Sequence, residues 1–132
     1  MRILAFVQAY LGQYATAPGG LGKQCVDLAN LYLQQVRKQP EVHANAVTWS
    51  TVQIAGMQWV TNTPYNQPAA GSLVVWGPFP AHSISQYGHI ALALYGDNLG
   101  FLSFDQDWPI GSVCALTLHD YGGVLGWHAP IS

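Results

Sequence analysis

The spacing of apolar residues along the chain predicts helices in the first half. Near the start, apolar side chains recur at helical intervals at Ile3, Leu4, Phe6, Val7, Tyr10 and Leu11. After the loop TAPGGLGK, a second stripe at intervals of three and four runs from Cys25 to Val36, and Pro40 closes this region. A weaker helical pattern covers residues 48–60. The first half is therefore expected to form two or three helices.

Short apolar segments separated by turn residues predict strands in the second half. They are GSLVVW (71–76), GHIALALY (88–95), FLSFDQDW (101–108), SVCALTL (112–118) and VLGWHA (124–129). Their close, regular spacing is typical of an antiparallel meander. Helices followed by a meander predict an α+β domain, with the helices packed on one side of an antiparallel sheet of about five strands. At 132 residues, the chain is expected to form a single domain, 1–132.

Composition restricts the partners of such a domain. Half of the residues are hydrophobic, only 8% are charged, and the net charge is −2, which is typical of a globular protein. Four Lys and Arg residues are too few to neutralise a phosphate backbone, so nucleic acid is not expected as a partner. No apolar run reaches the roughly 18 residues of a membrane span. Polar residues interrupt the first apolar segment, which indicates an amphipathic helix and not a signal peptide.

Cys25 lies in the first turn of the second predicted helix. Unpaired N–H groups and the positive end of the helix dipole favour a thiolate there. The preceding loop, PGGLGK, offers no Ser, Thr, Asp or Asn cap, so these N–H groups are free to receive a developing oxyanion. The alternative is that Cys25 is simply the first buried residue of the stripe. Cys114 is most simply a buried strand residue, although the two cysteines could also pair.

A histidine and two carboxylates lie on neighbouring predicted strands. His89 shares its strand face with Ala91 and Ala93, whose small side chains would let a helix approach closely. Asp105 and Asp107, two positions apart, would project from one face of the next strand. An imidazole N–H donated to one carboxylate would offset the cost of burying it, whereas the alternative is a solvated strand end. A cysteine on a helix followed by a histidine and an acid on strands is a thiol-hydrolase arrangement.

The remaining candidate residues are aromatic. Trp76 and Trp108 stand at the ends of the strands that would carry the site, and they could line a substrate groove, although core packing is the alternative. The other histidines, in looser or terminal contexts, are interpreted as surface or structurally satisfied residues: His43, His82, His119 and His128. Two aspartates and one histidine lack a fourth ligand at a recognisable spacing, so no metal site is predicted.

The chain resembles a CHAP domain, a cysteine- and histidine-dependent amidohydrolase/peptidase of the papain-like NlpC/P60 group. The matching segments, in family order from about residue 20 to the end, are GKQCVDLANLYL, NTPYNQPAAGSLVVWG, YGHIALALYG, FLSFDQDWP and GVLGWHAP. The likeness is greatest to CHAP domains of phage endolysins and virion-associated lysins. Such domains usually cleave amide bonds of peptidoglycan, as N-acetylmuramoyl-L-alanine amidases or as endopeptidases.

The resemblance implies a role for each matching residue. Cys25 corresponds to the nucleophile, His89 to the general base and Asp105 to the acid that orients the histidine. Gln24, together with the Cys25 N–H, corresponds to the oxyanion hole. Asp107 stands where the family commonly has Asn, and this second carboxylate would raise the pKa of the imidazolium or titrate jointly with Asp105.

The resemblance also sets expectations about cofactors and cellular context. Some phage CHAP domains bind calcium through an Asp-rich loop before the cysteine, but YATAPGGLGKQC contains no acid, so neither calcium nor another cofactor is expected. The expected protein is a monomeric catalytic domain without a separate cell-wall-binding domain. It would be made in the host cytoplasm and would act on bacterial peptidoglycan, free or virion-associated. The alternatives are a bacterial wall-remodelling or toxin-type hydrolase, and a non-catalytic wall-binding or virion structural module that retains the fold.

Overall fold

The computed structural model describes residues 1–131, in which helices precede an antiparallel sheet of six strands. The helical elements are α1 (Ile3–Tyr10), α2 (Cys25–Tyr32), a π-helical segment (Leu33–Arg37) that continues α2, and 3-10 helices at Ala46–Thr51 and Pro80–His82. The strands are β1 (Met57–Thr61), β2 (Leu73–Trp76), β3 (His89–Gly96), β4 (Phe101–Asp105), β5 (Ala115–His119) and β6 (Val124–Pro130). The predicted α+β class is confirmed, with one strand more than expected.

The strand order across the sheet is β1-β6-β2-β3-β4-β5, and every neighbouring pair is antiparallel. Strands β2 to β5 form the predicted meander. The last strand does not extend it, because β6 crosses back to pair with β2. β1 then pairs with the free side of β6 and forms one edge of the sheet, and β5 forms the other.

Two sequence-based boundaries were wrong. Residues 48–60, predicted as a helix, instead contain the end of a 3-10 helix, a turn at Gly56 with φ of +78°, and most of β1. A long-range ladder decides this, since β1 pairs residue by residue with β6. The segment 101–108, predicted as one strand, ends its ladder at Asp105, and Asp107 adopts a left-handed conformation with φ of +66°.

The two faces of the sheet belong to different clusters of buried residues. On the helix side, Val75, Ile90, Leu92 and Phe104 pack with residues of α1 and α2 such as Phe6 and Leu28. On the opposite face, Val74, Trp76, Ala91, Ala93, Phe101 and Trp127 form a second cluster. The helices therefore pack on the face of β3 that carries Ile90 and Leu92. The expectation that a helix covers the alanine face of β3 was wrong, because aromatic side chains cover it instead.

Candidate active site

A groove of about 850 Å³ brings together residues from α2, β3 and the segment after β4. Among the residues that line it are Gln24, Cys25, His89, Asp107 and Trp108. Five of the predicted site residues, distant in sequence, thus share one surface.

Cys25 is the first residue of α2 and is half-buried, with a free thiol. Within residues 1–131, the backbone N–H groups of Cys25 and Val26 have no hydrogen-bond acceptor. Such unpaired donors at a helix start can stabilise a developing negative charge. The geometry therefore suits a reacting oxygen bound next to the thiol.

The loop before Cys25 is held in place by Asp27, a buried residue in the first turn of α2. Its buried carboxylate accepts hydrogen bonds from the backbone N–H groups of Ala17 (3.0 Å), Gly22 (3.1 Å) and Gln24 (3.2 Å). An acid three positions after the N-cap is a known signal for a reciprocal cap, and that spacing was visible in the sequence. Asp27 therefore fixes the approach of the chain to Cys25.

His89 and Asp105 form a buried pair. The Nε2 atom of His89 lies 2.8 Å from Oδ2 of Asp105, and Ser103 donates its hydroxyl to the other oxygen, Oδ1. Gly88 makes the entry into β3 possible, since its φ is +74° and a Cβ there would lie 2.3 Å from the carbonyl oxygen of Trp76. Because Nε2 is engaged by Asp105, Nδ1 is the ring nitrogen left to face Cys25.

The electrostatics of this pair favour a protonated imidazole. Burial acts to lower the pKa of His89, but hydrogen bonds with Asp105 and Cys25 more than offset it and raise the pKa to about 9. Burial likewise acts to raise the pKa of Asp105, but hydrogen bonds from His119 and His89 hold it below its usual range. The arrangement suits an imidazolium beside the ionised Asp105 carboxylate.

His119 is a site neighbour that the sequence interpretation missed. Its Nε2 lies 3.0 Å from Oδ2 of Asp105, the same oxygen that contacts His89. The strand register places His119 on the same face of the sheet as Asp105. Ser103 pairs with Thr117 and Phe101 pairs with His119, so every second residue of β4 and β5, counted from these pairs, points to that face. The alternation of side chains in ALTLH was visible in the sequence. Only the pairing of β4 with β5 shows that it directs His119 toward the site.

The two predicted substrate-contacting tryptophans occupy different environments. Trp108 lines the groove, with its ring centroid 4.7 Å from that of His89. Trp76 is fully buried, 5.0 Å from His89 and 5.7 Å from Trp108 between ring centroids. The expectation that Trp76 contacts substrate was wrong, because its strand lies inside the sheet and its ring packs behind the histidines.

Asp107 lies in the groove wall and does not share a strand face with Asp105. Its Oδ1 accepts a hydrogen bond of 2.5 Å from the Gly111 N–H within the turn, and no hydrogen bond joins it to an imidazole in the described part of the chain. The predicted alignment of the two carboxylates was wrong, because β4 ends at Asp105.

Cys114 is buried and free, so the two cysteines do not pair. It lies just before β5 and not on the predicted strand. Burial raises the pKa of its thiol to about 11, and its sulfur donates to Oε1 of Gln106 at 3.4 Å. A thiol in this environment is a poor nucleophile at neutral pH.

Gln106 is a buried residue that, like Asp27, holds the loop before Cys25 in place, and the sequence interpretation did not identify it. Its Oε1 accepts from the Ala15 N–H at 2.6 Å, and its Nε2 donates to the Ala15 carbonyl at 3.0 Å and to the Gln24 carbonyl at 2.8 Å. These bonds attach the end of β4 to the loop that leads to Cys25.

Two further observations concern ligands and membranes. Residues 1–131 contain no group of three or more His, Cys, Asp or Glu side chains arranged to hold a metal ion. Over the same residues, the helices are too short or too polar to cross a bilayer.

A cysteine at the start of a helix that packs on an antiparallel sheet, with a histidine and an aspartate from neighbouring strands, defines a papain-like α+β fold. The family model described as the CHAP domain matches residues 14–98, and the chain belongs to this family, as the sequence motifs predicted.

Solved structures agree with this assignment. The wild-type endolysin LysIME-EF1 is 31% identical with a TM-score of 0.79, over 96% of this chain and 62% of that one. The structure of Ly7917, and the same protein with the hydrolyzing product of MDP, are each 16% identical with a TM-score of 0.71, over 96% of this chain and 60% of theirs. The chain thus spans less than two thirds of these proteins. No protein with a curated functional description matches the sequence.

Proposed function

We propose that this chain is a peptidoglycan hydrolase that cleaves an amide bond with the thiolate of Cys25 as nucleophile. The observation that carries the proposal is the shared groove: Cys25 and His89 line it together, and His89 is hydrogen-bonded from behind to the buried Asp105. The similar chain of LysIME-EF1 is an endolysin, and Ly7917 was solved with a product of MDP, a peptidoglycan fragment. Both support the wall polymer as the substrate.

The chemistry follows from the positions of the three side chains. The Cys25 thiolate attacks the amide carbonyl, and the carbonyl oxygen takes up the negative charge. The unpaired Cys25 N–H and the side chain of Gln24, at the same helix start, are the donors assigned to this oxygen. His89 then gives its proton to the leaving amine, and the C–N bond breaks to leave a thioester on Cys25.

The second half of the reaction uses the same groups in reverse order. His89, now neutral, accepts a proton from water as the water oxygen attacks the thioester carbonyl. The C–S bond then breaks, which releases the acid product and returns the Cys25 thiolate beside the protonated His89. Asp105 holds the imidazole in one tautomer throughout and stabilises its charged form. Asp107 is assigned to the groove wall near the substrate and not to proton transfer.

The test is a digest of purified peptidoglycans of several wall types, with fragments read by mass spectrometry. The wild type is compared with Cys25→Ala and with Cys114→Ser as the matched cysteine control. New amino termini from the wild type and from Cys114→Ser, but not from Cys25→Ala, would support the proposal. Free stem peptides would identify an amidase, and cut stems or cross-bridges would identify an endopeptidase. A folded wild type that releases no fragment from any wall would reject hydrolysis and favour a wall-binding module.

A further inference from the structure

We propose that His119 is a positioning residue of the same site, which holds the Asp105 carboxylate in the orientation and charge state that His89 requires. This inference rests on the proposed function, because it assigns His119 a part in that reaction. It concerns a residue on the edge strand β5, four positions beyond the strand's first residue, that is not one of the residues lining the groove.

The geometry gives Asp105 three donors. Nε2 of His89 and Nε2 of His119 lie 2.8 Å and 3.0 Å from Oδ2, and the Ser103 hydroxyl donates to Oδ1. An ionised carboxylate only accepts hydrogen bonds, so both imidazoles must present Nε2–H to it. His119 therefore helps to fix Oδ2 in the position where it selects the Nε2–H tautomer of His89. That tautomer leaves Nδ1 of His89 available to exchange a proton with Cys25.

Water cannot substitute for His119 at this position. The side chain of Asp105 is 1% exposed and that of His119 is 4% exposed. A buried carboxylate that loses a donor keeps the cost of its own desolvation and has no solvent to compensate it. Loss of the His119 N–H would therefore leave the Asp105 carboxylate with one hydrogen-bond donor fewer. This would in turn weaken the hold of Asp105 on His89.

Three aromatic side chains pack around the ring of His119. Its ring centroid lies 4.8 Å from Trp76, 4.8 Å from Trp108 and 5.2 Å from Phe101. An aromatic hydrocarbon side chain could fill this space without the cost of burying an imidazole. The hydrogen bond to Asp105 is the polar contact that offsets this cost. Simple packing would not require it, whereas a positioning role does.

A pH effect with a definite sign follows. His119 helps to hold the pKa of Asp105 below its usual range, against the opposite effect of burial. Without the His119 donor, Asp105 takes up a proton at a higher pH, so activity should be lost earlier as the pH falls. The other titratable groups around the pair remain in every variant; they are Cys25 on α2, His82 before β3, His89 on β3, Asp107 after β4 and Asp120 after β5.

The experiment compares two substitutions in the full chain. His119→Phe keeps an aromatic ring between the tryptophans but has no donor, and His119→Gln places an amide nitrogen close to the position of the imidazole Nε2. With a peptidoglycan that the wild type cleaves, we expect His119→Phe to lower kcat about 10- to 100-fold, the range for losing a hydrogen bond to a charged group. KM should change less than about twofold, because His119 does not reach the groove. The acid limb of the pH profile should move to higher pH, and His119→Gln should restore most of kcat.

Thermal unfolding of each variant separates this role from packing. Wild-type kcat and an unshifted acid limb in folded His119→Phe would overturn the proposal. So would equal losses of activity and stability in both variants, because a packing role predicts no rescue by Gln. If His119→Phe does not fold, His119→Asn, whose amide is too short to reach Asp105, takes its place with the same expectations.

A measurement without substrate keeps this inference separate from the proposed function. With 13C-labelled aspartate, the carboxyl resonance of Asp105 should titrate at a higher pH in His119→Phe than in the wild type. If the titration of Asp105 shifts in a protein that cleaves no peptidoglycan, the coupling of His119 to Asp105 stands and only the proposed hydrolase activity is rejected. An unshifted titration would reject the coupling whatever the enzyme does.

Discussion

The side-chain amide of Gln106 donates a hydrogen bond of 2.8 Å to the carbonyl oxygen of Gln24. Gln106 directly follows Asp105, and Gln24 directly precedes Cys25. A single buried side chain thus joins the two halves of the candidate site, which lie 82 positions apart along the chain. The relative placement of Cys25 and Asp105 depends on this contact as well as on the sheet.

Replacing Gln106 with leucine should therefore destabilise the fold and weaken catalysis together. The change leaves the Ala15 N–H and two backbone carbonyl groups without their partner, and an unsatisfied buried group costs about 1–3 kcal/mol. We expect the free energy of unfolding, measured in urea, to fall by roughly 2–5 kcal/mol. Gln58→Leu, at an exposed position of β1, is the control. Equal stability of the two variants would contradict the role given to Gln106.

Cys25→Ala should abolish peptidoglycan cleavage and leave the fold intact. Loss of a nucleophile lowers kcat by at least about a thousandfold in thiol and serine hydrolases. Cys114→Ser should stay within a few-fold of the wild type, because Cys114 is buried and burial raises the pKa of its thiol to about 11. Circular dichroism of both variants checks the fold. Inactivation by Cys114→Ser alone would mean that the nucleophile is misassigned.

Asp105→Asn should lower kcat strongly and move the alkaline limb of the pH profile to lower pH. The negative charge of Asp105 helps to raise the pKa of His89 to about 9, so a neutral amide should let that pKa fall. The imidazolium would then lose its proton at a lower pH than in the wild type. Rates across the pH range with wild type and variant test this, and an alkaline limb that does not move would show that Asp105 does not control His89.

The same pair predicts how stability depends on pH. The pKa of His89 is about 9 in the folded protein, against an ordinary value of 6.5 for histidine, so protonation of His89 stabilises the fold. This contribution is complete below pH 6.5 and is lost as the pH rises through 9. Chemical unfolding at several pH values should show a decline across this window in the wild type and a smaller one in Asp105→Asn.

Asp107→Asn should have only a small effect on kcat. The Oδ1 atom of an asparagine can still accept the hydrogen bond from Gly111, and Asp107 makes no hydrogen bond to His89 in the described residues. We expect activity within about threefold of the wild type at neutral pH, by the usual standard for substitutions outside the reacting groups. A loss as large as that of Asp105→Asn would place Asp107 in proton transfer.

Treatment with EDTA should leave activity unchanged. The carboxylates near the loop before Cys25 are already occupied, since Asp27 accepts three backbone N–H groups and Glu41 accepts the Gly19 N–H with both oxygens. Activity before and after dialysis against EDTA, with and without added Ca²⁺, measures this. A loss that Ca²⁺ restores would reveal a metal site.

The individual elements show where sequence reasoning succeeds and where it fails. The helix that begins at Cys25 follows from the local spacing of apolar residues, and the strand beginning at His89 follows from a local apolar run between turns. β1 was mistaken for a helix because its pattern is weak and its partner, β6, is far along the chain. His119 was overlooked for the same reason, because the alternating pattern of β5 places His119 near Asp105 only when β5 is paired with β4.

Local chemistry in the sequence was enough to predict the fold class and the family correctly, and to propose Cys25, His89 and Asp105 as the candidate site residues. Apolar periodicity and a few motif residues act over short distances, so they can be read without a partner strand. The tertiary structure alone decided which residues support these three. Asp27, Gln106 and His119 are polar side chains whose role depends on burial and on acceptors or donors brought from elsewhere in the chain. A hydrogen bond across the fold requires atoms within about 3 Å, and only the packed sheet sets that distance.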